Sequence, residues 1–214
     1  MTTKTLRQWA GLQPPTMLDP AATALILIDF QREYFDPAKL PIPNGALAAA
    51  NAALLVSAAD KVGVKVIHVQ HLAASPTSQL FAPGSPNAQF VDLVKPRAGE
   101  EIVVKSMPSS FVRTTLDATL KAAGIETLVV TGLTTHMCID NTTRDAVSYG
   151  YKVIVVDDAC ASRDLPGPGG SIIPADVVHS STLAALGDRF ADILGASEVV
   201  TLLGRCSPAR RRSA

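Results

Sequence analysis

The segment "LVVTGLTTHMCIDNTTRDAVSYG", Leu128 to Gly150, decides the fold. It opens as an apolar run, turns through Gly132 to Thr135, and resumes at helical spacing from about Cys138 to Gly150. That is one β-strand feeding one α-helix. A strand that is apolar without alternation suits a sheet covered on both faces, the habit of parallel sheets. Cys138 falls where the helix starts, so backbone N–H groups and the helix dipole are expected to lower its thiol pKa.

The same alternation extends outward along the chain. Short apolar, β-branched runs predict strands at Ala24 to Phe30, Lys65 to Leu72, Glu101 to Lys105, Thr127 to Leu133, Lys152 to Asp158 and Glu198 to Leu202. Between them, Gly45 to Gly63 is rich in alanine and leucine and closes on a glycine, and Phe111 to Gly124 carries Val112, Leu116, Thr119 and Leu120 at helical spacing. A further helix is expected after Ile173, with Pro174 at its first position. The pattern predicts an α/β fold, a three-layer α/β/α sandwich around a six-stranded, mostly parallel sheet. "LPGPGGS", Leu165 to Ser171, reads as a surface loop.

With 214 residues and 47% hydrophobic content, the chain can bury a full core in a single domain spanning 1–214, its core at about 22–203. A net charge of zero gives no global field for nucleic acid or anionic membrane, and the basic stretch at 205–214 reads as a solvated tail. Cys138, Cys160 and Cys206 are an odd, scattered set, and the N-terminus has no apolar signal region, so a reducing, cytoplasmic setting is expected. The apolar runs are shorter than the roughly 20 residues that span a bilayer.

Ligands of open α/β sheets bind at the carboxyl ends of the strands. Those ends offer Asp29, His71, Lys105, Cys138, Asp157 and Asp158. Alone, Asp29 reads as a helix cap, Lys105 as a terminal charge reaching for solvent, and Cys138 as a small core residue. Together, a carboxylate, an ammonium and a thiol on one sheet edge make a nucleophile with a base and a counter-charge.

Three segments, "LILIDFQREYF" (Leu25 to Phe35), "VVKSMPSSF" (Val103 to Phe111) and "VVTGLTTHMCIDNTTRDAVSYGYKVIVVDDACAS" (Val129 to Ser162), make the chain resemble the isochorismatase-like cysteine hydrolases. That group includes nicotinamidases, N-carbamoylsarcosine amidases, ureidoacrylate and maleamate amidohydrolases, and streptothricin hydrolase. The resemblance implies Asp29 as base, Lys105 as its charged partner and Cys138 as nucleophile. It also implies a cis peptide at Leu133-Thr134 and an oxyanion hole from the Thr134 and Cys138 backbone N–H groups. Gln31, Phe35, His71, Phe111 and Thr135 are candidates for the substrate pocket, with ordinary packing as the alternative for each.

Nicotinamidases of this group hold a metal through an aspartate and several histidines. Here Val69 stands where that aspartate would precede His71, and His68 and His71 alone are too few ligands. No metal and no other cofactor is expected. The expected reaction is C–N hydrolysis of a small amide, carbamoyl, ureide or cyclic-amide substrate through a thioester. The alternatives are isochorismatase-type vinyl-ether hydrolysis, which needs no nucleophilic cysteine, and a catalytically silent binding protein of the same fold. The resemblance further suggests a homodimer or homotetramer. Specificity is expected in the loops Ala73 to Asp92 and Leu165 to Ser171.

Overall fold

The computed structural model describes residues 3–205. Cys206 and most of the basic tail lie outside the described residues. Six strands, β1 (Thr23–Ile28), β2 (Lys65–His71), β3 (Glu101–Lys105), β4 (Thr127–Leu133), β5 (Lys152–Ala161) and β8 (Asp192–Leu194), form one parallel sheet in the order β3-β2-β1-β4-β5-β8. A separate two-residue ladder, β6 (Leu165–Pro166) with β7 (Ile172–Ile173), closes the loop expected at Leu165 to Ser171.

Helices cover both faces. On one side, α2 (Gly45–Val62) and α6 (Ala196–Gly204) pack through Ala48, Ala52, Leu55, Val199 and Leu203 against Leu25, Leu27, Val129 and Ile154. On the other, α3 (Leu116–Ala122), α4 (Asp140–Ser148) and α5 (Ala175–Arg189) set Leu116, Leu120, Ala146, Leu183 and Leu186 against Ile26, Ile28, Val103 and Val130. The inner strands β2, β1, β4 and β5 therefore feed both layers, which explains their unbroken apolarity, while the edge strand β3 is covered on one face. By length and composition α2 could cross a membrane, yet its small-residue face, Ala48, Ala52 and Ala59, lies buried on the sheet. A short α1 (Leu6–Trp9), held by a capping box between Thr5 and Gln8, docks on α5 through the Leu6 N–H to Asp188.

Boundaries differ from expectation: β1 spans Thr23–Ile28 rather than Ala24 to Phe30, β5 runs on to Ala161, and three further differences concern helices. Glu198 to Leu202, expected as the sixth strand, lies in α6, and the three residues Asp192–Leu194 take that place in the sheet. Ala196, Val199, Leu202 and Leu203 are buried at helical spacing, and Glu198 accepts a hydrogen bond from the Gly195 N–H to start the helix. The helix expected from Phe111 begins only at Leu116, because the Ser109 hydroxyl accepts the Phe111 N–H, and the Thr114 hydroxyl donates to the Ser110 carbonyl and accepts the Leu116 N–H, shaping a turn ahead of it. Pro174 is the N-cap of α5, one position earlier than expected.

β1 and β4 lie side by side at the centre of the sheet, with connections leaving them toward opposite edges, so their carboxyl ends diverge at a switch point. Gly132 is the close approach there. It has φ +135°, and a Cβ would be driven into the Ile28 carbonyl. Gly132→Ala is expected to destabilise the fold by roughly 1–3 kcal/mol, lowering the melting temperature by several degrees. A melting curve unchanged within a degree would contradict the close approach.

Candidate active site

Asp29 follows β1, Lys105 closes β3, and Cys138 lies in the turn after β4. Lys105 Nζ stands 2.7 Å from Asp29 Oδ2 and 3.3 Å from Cys138 Sγ. The three residues are 0%, 2% and 3% exposed.

The local sequence explains each placement. Asp29 takes a left-handed backbone, φ +55°, which aspartate tolerates better than most residues. Its N–H is held by the Val69 carbonyl at 3.0 Å, and its own carbonyl accepts the Gln31 N–H at 2.7 Å. On β3, Val103 and Lys105 share the helix-covered face, while Ile102 and Val104 point to the open side. Strand alternation thus carries the lysine inward, against its habit of reaching for solvent. After the cis Leu133–Thr134 peptide, Thr135–Ile139 form a π-helical turn in which the Thr134 carbonyl accepts the Met137 and Ile139 N–H groups at 3.2 and 3.1 Å. That leaves the Thr134 and Cys138 amides outside this pair of bonds. Single π turns recur at functional sites.

Electrostatics set the protonation states. Burial opposes charge on Lys105, but the Asp29 carboxylate and the Cys138 sulfur outweigh it, so the lysine pKa is raised. Burial and then the Asp29 charge push the Cys138 thiol up to about 12, against the smaller pull of Lys105. The resting site is therefore an ammonium–carboxylate pair beside a protonated thiol. This reverses the expected lowering at a helix start, because desolvation of a thiolate that is 3% exposed, together with the adjacent carboxylate, dominates. Asp29 Oδ1 is buried with no hydrogen-bond partner among the described residues. It retains lone pairs for a proton.

The expected pocket residues divide. His71 comes to the cluster, its Nδ1 at 3.3 Å from Lys105 Nζ. Gln31 is fully buried and spends its amide on backbone: Nε2 donates to the carbonyls of His71 and Ala88 at 2.9 and 2.7 Å, and Oε1 accepts the His71 N–H at 2.8 Å. It is a strut between β1 and β2. Thr135, also buried, pairs its hydroxyl with His179 Nδ1 at 2.8 Å, and the neighbouring His136 Nδ1 meets Ser162 Oγ at 2.6 Å. These two contacts tie the Thr135–Ile139 turn to α5 and to the residue after β5. Phe111 is not brought to the cluster; it stacks on Tyr149 and Tyr151, with centroids 5.0 and 5.9 Å away, beyond the end of α4 remote from Cys138. Phe35 packs at the start of α2 against Gly45.

Two residues not singled out in the sequence are coupled electrostatically to the cluster or to the turn after β4. Tyr34 is 6% exposed, and its phenol is held protonated by burial and then by the charge of Asp29. Arg163, half-buried after β5, also acts electrostatically on Tyr34 and on His136, and makes no carboxylate ion pair among the described residues. The signal available beforehand was an arginine just past a strand end in "ACASR". A cavity of about 720 Å³ at the amino ends of β1, β4 and β5 is lined by none of these residues.

Known proteins share this fold. The Isochorismatase domain family matches residues 23–197. An uncharacterized isochorismatase family protein of Bacillus subtilis, YddQ, is 40% identical over 80% of this chain and 94% of its own length. The maleamate amidohydrolase of Pseudomonas putida is 33% identical over 65% of this chain and 72% of its own. Among solved structures, a cysteine hydrolase from Pseudomonas syringae superposes with a TM-score of 0.85 at 27% identity, covering 95% of this chain and 99% of that one. The fold, the residues matched and these likenesses place the chain in the isochorismatase family of hydrolases.

Proposed function

We propose that the protein is a cysteine amidohydrolase acting on a small amide that carries a second, anionic group. The observation that carries this reading is the buried bridge of Lys105 between Asp29 Oδ2, at 2.7 Å, and Cys138 Sγ, at 3.3 Å. A thiol pushed up to about 12 is inert at neutral pH unless a base takes its proton during attack. Asp29 is that base, and Lys105 offsets the negative charge as it passes from carboxylate to sulfur.

The reaction then follows. Cys138 sulfur adds to the amide carbonyl as its proton passes to Asp29, and the Thr134 and Cys138 amides hold the resulting oxyanion. Asp29 returns the proton to the nitrogen as the C–N bond breaks, releasing ammonia or an amine and leaving a thioester. Water, deprotonated by Asp29, attacks the thioester, and the thiol recovers its proton as the carboxylic acid leaves. Near-complete burial of the three residues favours a small substrate.

Arg163 supports the second group. A half-buried guanidinium that makes no carboxylate ion pair among the described residues, donates to the Asp164 carbonyl at 3.1 Å and acts electrostatically on the Tyr34 phenol, suits a substrate carboxylate. Maleamate, the substrate named for the Pseudomonas putida relative, is such an amide. Ammonia release from a panel of small amides, with and without a distal carboxylate, tests the reading. Turnover of carboxylate-bearing members supports it; turnover of vinyl ethers but no amide overturns it. Arg163→Met is expected to raise KM for the carboxylate-bearing amides roughly 10–100-fold. Neutral amides of the same shape should change little, and an unchanged KM would remove Arg163 from the substrate.

A further inference from the structure

Lys105 is crowded by acceptors. Its Nζ has Asp29 Oδ2 at 2.7 Å, and Cys138 Sγ, His71 Nδ1 and the Met107 carbonyl each at 3.3 Å. An ammonium has three hydrogens for these four partners. A ring nitrogen facing an ammonium must be the lone-pair nitrogen, so His71 carries its proton on Nε2.

We propose that His71 is a positioning residue for Lys105: its unprotonated Nδ1 accepts one ammonium hydrogen and so aims the others at Asp29 and the Cys138 sulfur. The proposal rests on the amidohydrolase reading, in which Lys105 must follow the negative charge from carboxylate to sulfur. In the resting site the thiol is a weak acceptor, and His71 and Met107 hold the hydrogens that Asp29 does not use. Once the thiol proton has moved to Asp29, the thiolate is the stronger acceptor, and one hydrogen swings to it from His71 with little movement of the nitrogen.

The surroundings of His71 are built to hold that orientation. Gln31 grips both its backbone N–H and its carbonyl, at 2.8 and 2.9 Å. The Phe81 ring meets the imidazole edge-on at 5.0 Å and also contacts Tyr34, at 5.2 Å. Phe81 is itself fixed in a left-handed backbone, φ +54°, with its N–H donated to Glu33 Oε2 at 3.1 Å. The charged groups acting on the imidazole are Lys105 from β3 and Asp29 from the end of β1. Burial first, and Lys105 second, lower the His71 pKa, with Asp29 opposing. The imidazole is thus neutral at pH 7. As pH falls through its lowered pKa, a proton on Nδ1 replaces the lone pair and puts a second cation against Lys105, so an acid limb of activity arises there.

The test joins NMR to kinetics on the full chain. Nitrogen-15 spectra of labelled histidine should show His71, assigned by its loss in His71→Phe, as the Nε2–H tautomer at pH 7, titrating below 6.5. For hydrolysis of a panel amide, His71→Phe, which keeps a ring against Phe81, should lose on the order of 10²-fold in kcat. His71→Asn, which offers an acceptor where Nδ1 was, should recover most of that loss and lack the acid limb assigned to His71. An Nδ1–H tautomer, a charged imidazole at pH 7, or an acid limb unmoved in His71→Asn would overturn the proposal. If no panel amide is turned over by the wild type, the amidohydrolase reading fails, and the tautomer and titration still decide the role of His71.

Discussion

Asp29→Asn is expected to lose amide hydrolysis by about 10²–10⁴-fold while making Cys138 easier to alkylate. The two effects run in opposite directions because Asp29 acts on the thiol in two ways. As the proposed base it accepts the thiol proton, and an amide side chain cannot. As a charge it stands among the causes that push the thiol up to about 12. Removing that charge leaves Lys105 to stabilise the thiolate alone, so the thiol pKa falls and iodoacetamide reacts faster at a fixed pH. Asparagine tolerates the left-handed backbone that Asp29 occupies at φ +55°, so the turn should survive. Alkylation rates with peptide mass analysis separate Cys138 from Cys160, whose thiol is pushed up first by burial and further by the charges of Asp157 and Asp158, and stays slow. Slower alkylation in Asp29→Asn would mean that the carboxylate activates the resting thiol, contrary to the electrostatics described.

Lys105→Met has the other large effect, and it reaches stability as well as rate. The side chains of Lys105 and Asp29 are both 0% exposed, so deleting the ammonium strands a buried carboxylate. Breaking a buried ion pair on one side costs roughly 3–5 kcal/mol, which for a chain of this size lowers the melting temperature by about 10 °C. Without the ammonium nothing offsets the negative charge as it passes from carboxylate to sulfur, so activity is lost as well. Adding Asp29→Asn to Lys105→Met removes the stranded charge, so the double variant is expected to regain most of the stability and none of the activity. Additive stability losses in the double variant would show that the pair is not coupled.

Much of this was legible in the chain, for reasons that can be named. β3 and β4 run over the predicted residues, Glu101–Lys105 and Thr127–Leu133, because each is an apolar run bounded by charged or turn residues. Gly63 was readable as a stop because it closes α2 in the left-handed conformation, φ +78°. Glu198 to Leu202 misled because a five-residue β-branched run looks alike as a buried strand or a buried helix face. The meeting of Asp29, Lys105 and Cys138 was readable as a placement on one sheet edge; the direction of the Cys138 pKa was not, since it depends on how completely the fold excludes water. Phe111 was a pocket candidate with ordinary packing as its alternative, and packing is what it does: the turn at Ser109 and Ser110 carries its ring to Tyr149. Tyr34, Phe81 and Arg163 gave little signal, because their contacts join segments far apart in the chain.

The central claim is that Cys138 is the nucleophile, and Cys138→Ala tests it most directly. Ammonia release from the best panel amide should be measured for wild type and Cys138→Ala at equal, folded concentrations. The account predicts turnover by the wild type and a loss of about 10⁴-fold or more in the variant, since the residues act as one unit. A Cys138→Ala protein that releases ammonia as fast as the wild type would contradict it.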